Sequence, residues 1–140
     1  MEIVGGGEER EHYESKAKNM KLQRIYFHGF QNPNEYYKKA DAFCMVSNYE
    51  GFPMVLAESM QCGCVPFAFD SFAALSDLII NGQNGFTVPP FNEDEYVKSV
   101  VDFCKKTEGE KQNLREACIA KARQFSVENI AKIWMDVFNS

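Results

Sequence analysis

The chain has 140 residues, 45% of them hydrophobic and 25% charged, with a net charge of −5 at neutral pH. Such a composition is that of one soluble globular domain large enough to bury a sizeable core. The 15 basic residues are scattered, which excludes the basic stripe of a nucleic-acid surface and a strongly basic membrane-binding face.

In chain order, "MEIVGG" reads as a strand ending in glycines, and Glu8 to Met20 as a helix. "RIYFHGF" reads as a strand stopped by "QNPN", and "NEYYKKA" as a short helix with Asn34 as its cap. "DAFCMVS" is an apolar run of the length of a buried strand. "PMVLAESMQCG" follows as a helix, with Pro53 near its first position and Gly63 at its stop. "VPFAFD" is a strand, "SFAALSDLIINGQNG" a helix running into a glycine-containing turn, and "GFTVPP" a last short strand. From Glu93 to Ser140 the pattern is helical, broken near Gly109 and at "FSVEN".

This alternation predicts an α/β fold, a Rossmann-like, doubly wound parallel sheet flanked by helices. The strands are too apolar to alternate, as strands buried on both faces are. In such sheets ligands bind beyond the C-terminal ends of the strands, where the 47–53 loop and the Gly5–Gly7 turn lie. No internal repeat or linker is visible. No apolar run approaches the roughly 20 residues of a membrane helix, and the N-terminus does not read as a signal peptide. The five cysteines, an odd number, point to free thiols in a reducing compartment, and hence to the cytoplasm.

Within "NYEGFPMVLAESMQCG", Glu50 and Glu58 stand with seven residues between them, among apolar and small neighbours. The first turn of a helix leaves about four N–H groups free and carries partial positive charge, so phosphates bind there. Pro53 has no N–H, which leaves the amides of Gly51, Phe52, Met54 and Val55. Glu50, at the mouth of the turn, would accept bonds from hydroxyls. Glu58, expected about two turns along the helix and roughly 7–8 Å in, would hold a ribose through its two adjacent hydroxyls. The spacing thus suggests a nucleotide-sugar. Two solvated glutamates on an ordinary loop and helix would give the same spacing.

"YYKKADAFCMVSNYEGFPMVLAESMQCGCVPFAFD" resembles the C-terminal domain of retaining glycosyltransferases of family 4, the "glycosyl transferases group 1" proteins of the GT-B fold. The similarity extends to "IVGGGEER", "FHGF", "SDLIINGQNGFTVPP" and the tail "FSVENIAKIWMDVF", nearly the whole chain. The resemblance implies a retaining transferase that moves a sugar, a hexosyl group, from a nucleoside diphosphate to a hydroxyl acceptor in glycan or polysaccharide synthesis. Glu50 would contact the donor sugar at the catalytic centre, and Gly51, Phe52 and Pro53 would line it. Met54 and Val55 would offer amides to the diphosphate, Glu58 would bind the ribose, and His28 to Gln31 would lie near the base. No metal cofactor is implied, and no Asp-x-Asp is present. The donor is a UDP-, GDP- or ADP-sugar.

The chain starts after the strand and helix, with a Gly-Arg…Lys-Gly segment, that open this domain in the family. On the resemblance, the N-terminal Rossmann domain that binds the acceptor is also expected to be missing from it. The expectation is a fragment, residues 1–140, that carries the donor site and is inactive alone. The absent strand sits mid-sheet in the family, so rearrangement or self-association is expected. Peripheral membrane association of the parent stays open. "FDSFAALSD" lacks the family's small glycine-containing turn. Two rivals are a nucleotide-sugar epimerase of the GT-B fold and a non-catalytic nucleotide-sugar-binding domain.

Other features have plainer readings. Cys62 and Cys64 lack the paired spacing or nearby histidines of a zinc site and read as packed thiols. His28 reads as a packed strand residue, and Gly5–Gly7 falls short of a dinucleotide fingerprint. Tyr96, Phe125, Trp134 and Phe138 read as packed faces of amphipathic helices. Part of the last helix would serve the absent domain.

Overall fold

The structure is a computed structural model and describes residues 1–139. The chain forms two compact units, divided between Tyr36 and Tyr37.

In the first unit, β1 (Glu2–Val4) pairs in parallel with β2 (Tyr26–Gly29), and α1 (Arg10–Asn19) connects them. Gly5, Gly7 and Gly29 all take positive φ, so this strand end depends on glycine. Gly29 is the one buried residue in 1–36, and α1 buries none. A groove of about 540 Å³ remains open along Ile3, Tyr13, Met20 and Phe27. The short helix α2 (Asn34–Tyr37) starts at Asn34, and its cap is not Asn34 as expected. The Asn34 N–H donates to Asn32 Oδ1 at 3.1 Å.

The second unit holds a three-stranded parallel sheet in the order β3 (Ala42–Met45), β4 (Val65–Phe69), β5 (Phe86–Val88). Burial on both faces, expected of every strand, holds for β4 alone. On one face Val65, Phe67 and Phe69 pack against α5 (Glu93–Cys104) and α6 (Glu108–Ala122), with Met60, Phe103, Leu114 and Cys118. The Phe67 ring lies 4.8 Å from Phe86 and 5.4 Å from Phe103. On the other face Ala68 joins Met45, Leu56, Ala57 and Leu75. Helices therefore cover both faces, as the parallel pattern predicts. Tyr96 is buried, and its hydroxyl donates to Phe67 O at 2.8 Å and lies 3.3 Å from Met45 O, joining α5 to β4 and to the end of β3.

β3 pairs only with β4 and β1 only with β2, so each has one unladdered edge. The exposed Cys44 lies on β3.

The helix predicted over Ser71 to Gly85 shrinks to one turn, α4 (Leu75–Leu78). The reason is Asn84, a buried polar residue. Its Oδ1 accepts the Ile80 N–H at 2.7 Å and its Nδ2 donates to Leu78 O at 2.9 Å. The side chain takes over bonds that further helical turns would make. The break expected near Gly109 falls at Thr107, which caps α6 through a capping box with Glu110. Gly109 lies in the first turn of α6. A 3-10 turn (Arg123–Phe125) then leads to α7 (Val127–Phe138), capped by Ser126. α7 buries none of its residues, so the core role read for Trp134 and Phe138 is corrected. Their rings stack on each other at 5.7 Å, and both are exposed.

Candidate functional site

The loop from Val46 to Pro53 leaves the C-terminal end of β3 and enters α3 (Met54–Gln61). Its shape is set by short contacts. Ser71 Oγ donates to Ser47 O at 2.9 Å, tying it to the segment after β4. The turn whose missing glycine was noted is thus held by a serine instead. Pro53 is the N-cap of α3, and no side chain caps this helix.

The amides at this end are not all open. The Met54 N–H donates to Phe52 O at 2.9 Å, and the Leu56 N–H to Pro53 O at 2.9 Å. Among the described residues, the Gly51, Phe52 and Val55 amides have no backbone acceptor. The Met54 N–H, expected to face a diphosphate, is engaged within the turn. Met54 and Val55 instead present exposed apolar side chains.

Glu50 is half-buried, and its carboxylate has no hydrogen-bond or ion-pair partner among the described residues. Glu58 is half-buried on the flank of α3, between the buried Ala57 and Ser59. It lies four residues past the helix start, about 6 Å at 1.5 Å per residue, so one turn in rather than two. Burial raises the pKa of the Tyr37 phenol, and the Glu58 carboxylate close by raises it further. Tyr37 is buried against Phe43, rings edge-on at 5.5 Å. Phe52 packs one side on Phe125, centroids 5.5 Å apart, and keeps the other exposed.

Gly51 is informative because the fold does not demand it. Its φ is not positive, and a Cβ built there would meet nothing within 4 Å. The face it leaves bare is open space beside free amides.

His28, in the first unit, bonds Glu2 through Nε2, and its ring lies 4.9 Å from Tyr36. These contacts match the packed reading. Cys62 and Cys64 are free, and among the described residues no three His, Cys, Asp or Glu side chains converge to hold a metal ion. The residues that sequence reasoning missed are Asn48 and Phe91, which line a second hollow with Phe69 and Glu93. The signal for it lay in "PPFN", a turn with phenylalanine at a position that favours glycine.

An uncapped helix end after a parallel strand, flanked by two glutamates, has the chemistry that suits an anion and hydroxyls. Residues 1–125 match the family described as glycosyl transferases group 1. The chain belongs to that family.

Two curated relatives match nearly the whole chain. The poly(glycerol-phosphate) alpha-glucosyltransferase of Bacillus subtilis is 25% identical over 99% of this chain and 21% of its own length. The amylovoran biosynthesis glycosyltransferase AmsD of Erwinia amylovora is 27% identical over 98% of this chain and 39% of its own. The solved structures agree in fold. Anabaena HepE, in complex with UDP-glucose, superposes with a TM-score of 0.83 at 22% identity, over 99% of this chain and 40% of its own. A TarM variant of S. aureus, in complex with fondaparinux, alpha-GlcNAc-glycerol and UDP, gives 0.88 at 20%, over 99% and 29%. The architecture matches the C-terminal portion of GT-B glycosyltransferases. The chain therefore spans well under half the length of these relatives. No helix among the described residues is long and apolar enough to cross a membrane.

Proposed function

We propose that this domain is the donor half of a retaining hexosyltransferase. It would bind a UDP-, GDP- or ADP-sugar whose hexosyl group passes to a hydroxyl acceptor in glycan assembly, on the cytoplasmic side and without a metal ion. The observation that supports it best is the 46–53 loop. Its free Gly51, Phe52 and Val55 amides, unrequired glycine and unpaired Glu50 all belong to one strand-to-helix junction. The diphosphate would take the amides, where helix N–H groups stabilise charge as it departs. Glu50 would accept bonds from the sugar hydroxyls, with Phe52 and Pro53 at its edge. Glu58, one turn in, would accept the two ribose hydroxyls. Acceptor binding, the cations that grip the diphosphate and the strand that completes the sheet would come from the rest of a longer protein.

The direct test is thermal stabilisation by UDP, GDP and ADP, compared between wild type and Glu58→Ala. One nucleotide is expected to raise the melting temperature, and the variant to lose most of that rise. Equal stabilisation of both proteins would remove the ribose role. A longer protein in which transfer survives Glu50→Gln would remove the sugar role of Glu50.

A further inference from the structure

The turn after β5 is built on an unfavourable residue. The Asn92 N–H donates to Pro89 O at 3.2 Å, which leaves Pro90 and Phe91 in the middle of the turn. Phe91 sits at φ +62°. A positive φ at this third position calls for glycine, since any Cβ there is strained. Burial does not offset that strain. Phe91 is 59% exposed, and its ring contact is with Phe69, centroids 5.8 Å apart. A strained aromatic left half in solvent points to something that covers it.

The ring forms one wall of a hollow of about 430 Å³. Val46 and Asn48 line it from the loop after β3, Phe69 from the end of β4, and Glu93 and Val97 from the start of α5. It therefore opens at the C-terminal end of the sheet, where parallel α/β folds hold ligands. Asn48 is two residues before Glu50 on the same loop. Among the described residues the side chains of Asn48 and Glu93 have no hydrogen-bond partner.

We propose that this hollow is a sugar-ring subsite, separate from the donor position, in which Phe91 is the stacking platform. The face of a pyranose that carries its axial C–H bonds is apolar and slightly positive, and it lies well on the negative face of an aromatic ring. Its rim of hydroxyls meets the Asn48 amide and the Glu93 carboxylate. A lipid chain or an apolar peptide would use Val46, Val97 and Phe91 but would strip water from that amide and carboxylate without replacing it. A glycan satisfies both halves of the lining. The proposal takes from the glycosyltransferase reading only that its occupant belongs to a glycan.

The experiment is a heteronuclear NMR titration of the 140-residue chain with methyl α-D-glucopyranoside and with N-acetylglucosamine, each with and without UDP. Amide shifts are expected at Val46–Asn48 and Phe91–Val97. Phe91→Gly should weaken binding about fivefold or more while melting no lower than wild type, because glycine relieves the turn. Phe91→Tyr should keep it. Asn48→Ala, which leaves the turn untouched, should weaken it as well. The proposal falls if neither sugar moves those amides, or if Phe91→Gly and Asn48→Ala bind as wild type does. Sugar shifts that appear although UDP has no effect would keep the subsite and sink the donor reading. UDP binding without sugar shifts would do the reverse.

Discussion

Cys64 and Cys118 have no exposed surface, and burial pushes both thiols up to about 12 from an ordinary value of 9.0. Cys64 is raised further by Cys118 nearby. The folded chain thus keeps two protons that the unfolded chain releases at lower pH. Their contribution is complete below the unfolded value and is lost as pH rises towards the folded one. Each thiol should cost about 1 kcal/mol of stability per pH unit across that window. Urea unfolding measured near neutrality and again in the alkaline window will read it. Cys118→Ala should show a shallower decline than wild type, and parallel declines would refute the assignment. Cys64 and Cys118 thus keep their protons at neutral pH. What was legible at this scale was residue type: free thiols, a packed His28, two glutamates near a helix start. What was not legible was which amide at that start is spent. The Met54 N–H closes on Phe52 O because of the local turn geometry, which no spacing rule encodes.

At the scale of the element, α6 owes its start to Thr107. Its Oγ1 accepts the Glu110 N–H at 3.3 Å, and the Glu110 carboxylate accepts the Thr107 N–H at 2.8 Å. The same contacts hold the Glu110 pKa below its usual range. Thr107→Ala should cost about 0.5–2 kcal/mol in chemical denaturation. A loss near zero would mean that Leu114 and Cys118 packing fixes the helix without its cap. Strands were readable because "AFCM" and "VPFAF" are short apolar runs between turn residues, and the parallel pairing followed from the helices between them. The helix predicted after β4 failed for a tertiary reason. A buried asparagine bonds Leu78 O and Ile80 N–H, and its own carbonyl accepts from Cys118 Sγ at 2.9 Å. Periodicity registers the apolar residues Leu75, Leu78 and Ile79 but not a side chain that substitutes for a helical turn. The strand-to-helix junction was placed correctly by Pro53 and Gly63, the latter at φ +75° where the helix stops.

For the whole molecule, α7 is a helix whose apolar side chains are left exposed. Ile133, Trp134, Met135 and Phe138 are all exposed on a helix with one basic residue, Lys132. So little positive charge is poor attraction for an anionic membrane, whereas the apolar area suits another protein surface. The isolated chain is expected to associate as its concentration rises, as followed by sedimentation velocity. Trp134→Glu combined with Phe138→Glu should return it to monomer, and undiminished association of that variant would exclude α7 as the contact. The four relatives named above are two and a half to nearly five times as long, since this chain covers 40% to 21% of them.

Residues 1–36 bury Gly29 alone, whereas β4 is buried throughout. Local opening costs little where so few residues are buried. The N-terminal stretch would open at low cost, again and again, while the three-stranded sheet held. Any contact that buried side chains of this stretch would raise the cost of that opening and slow the exchange of its amides.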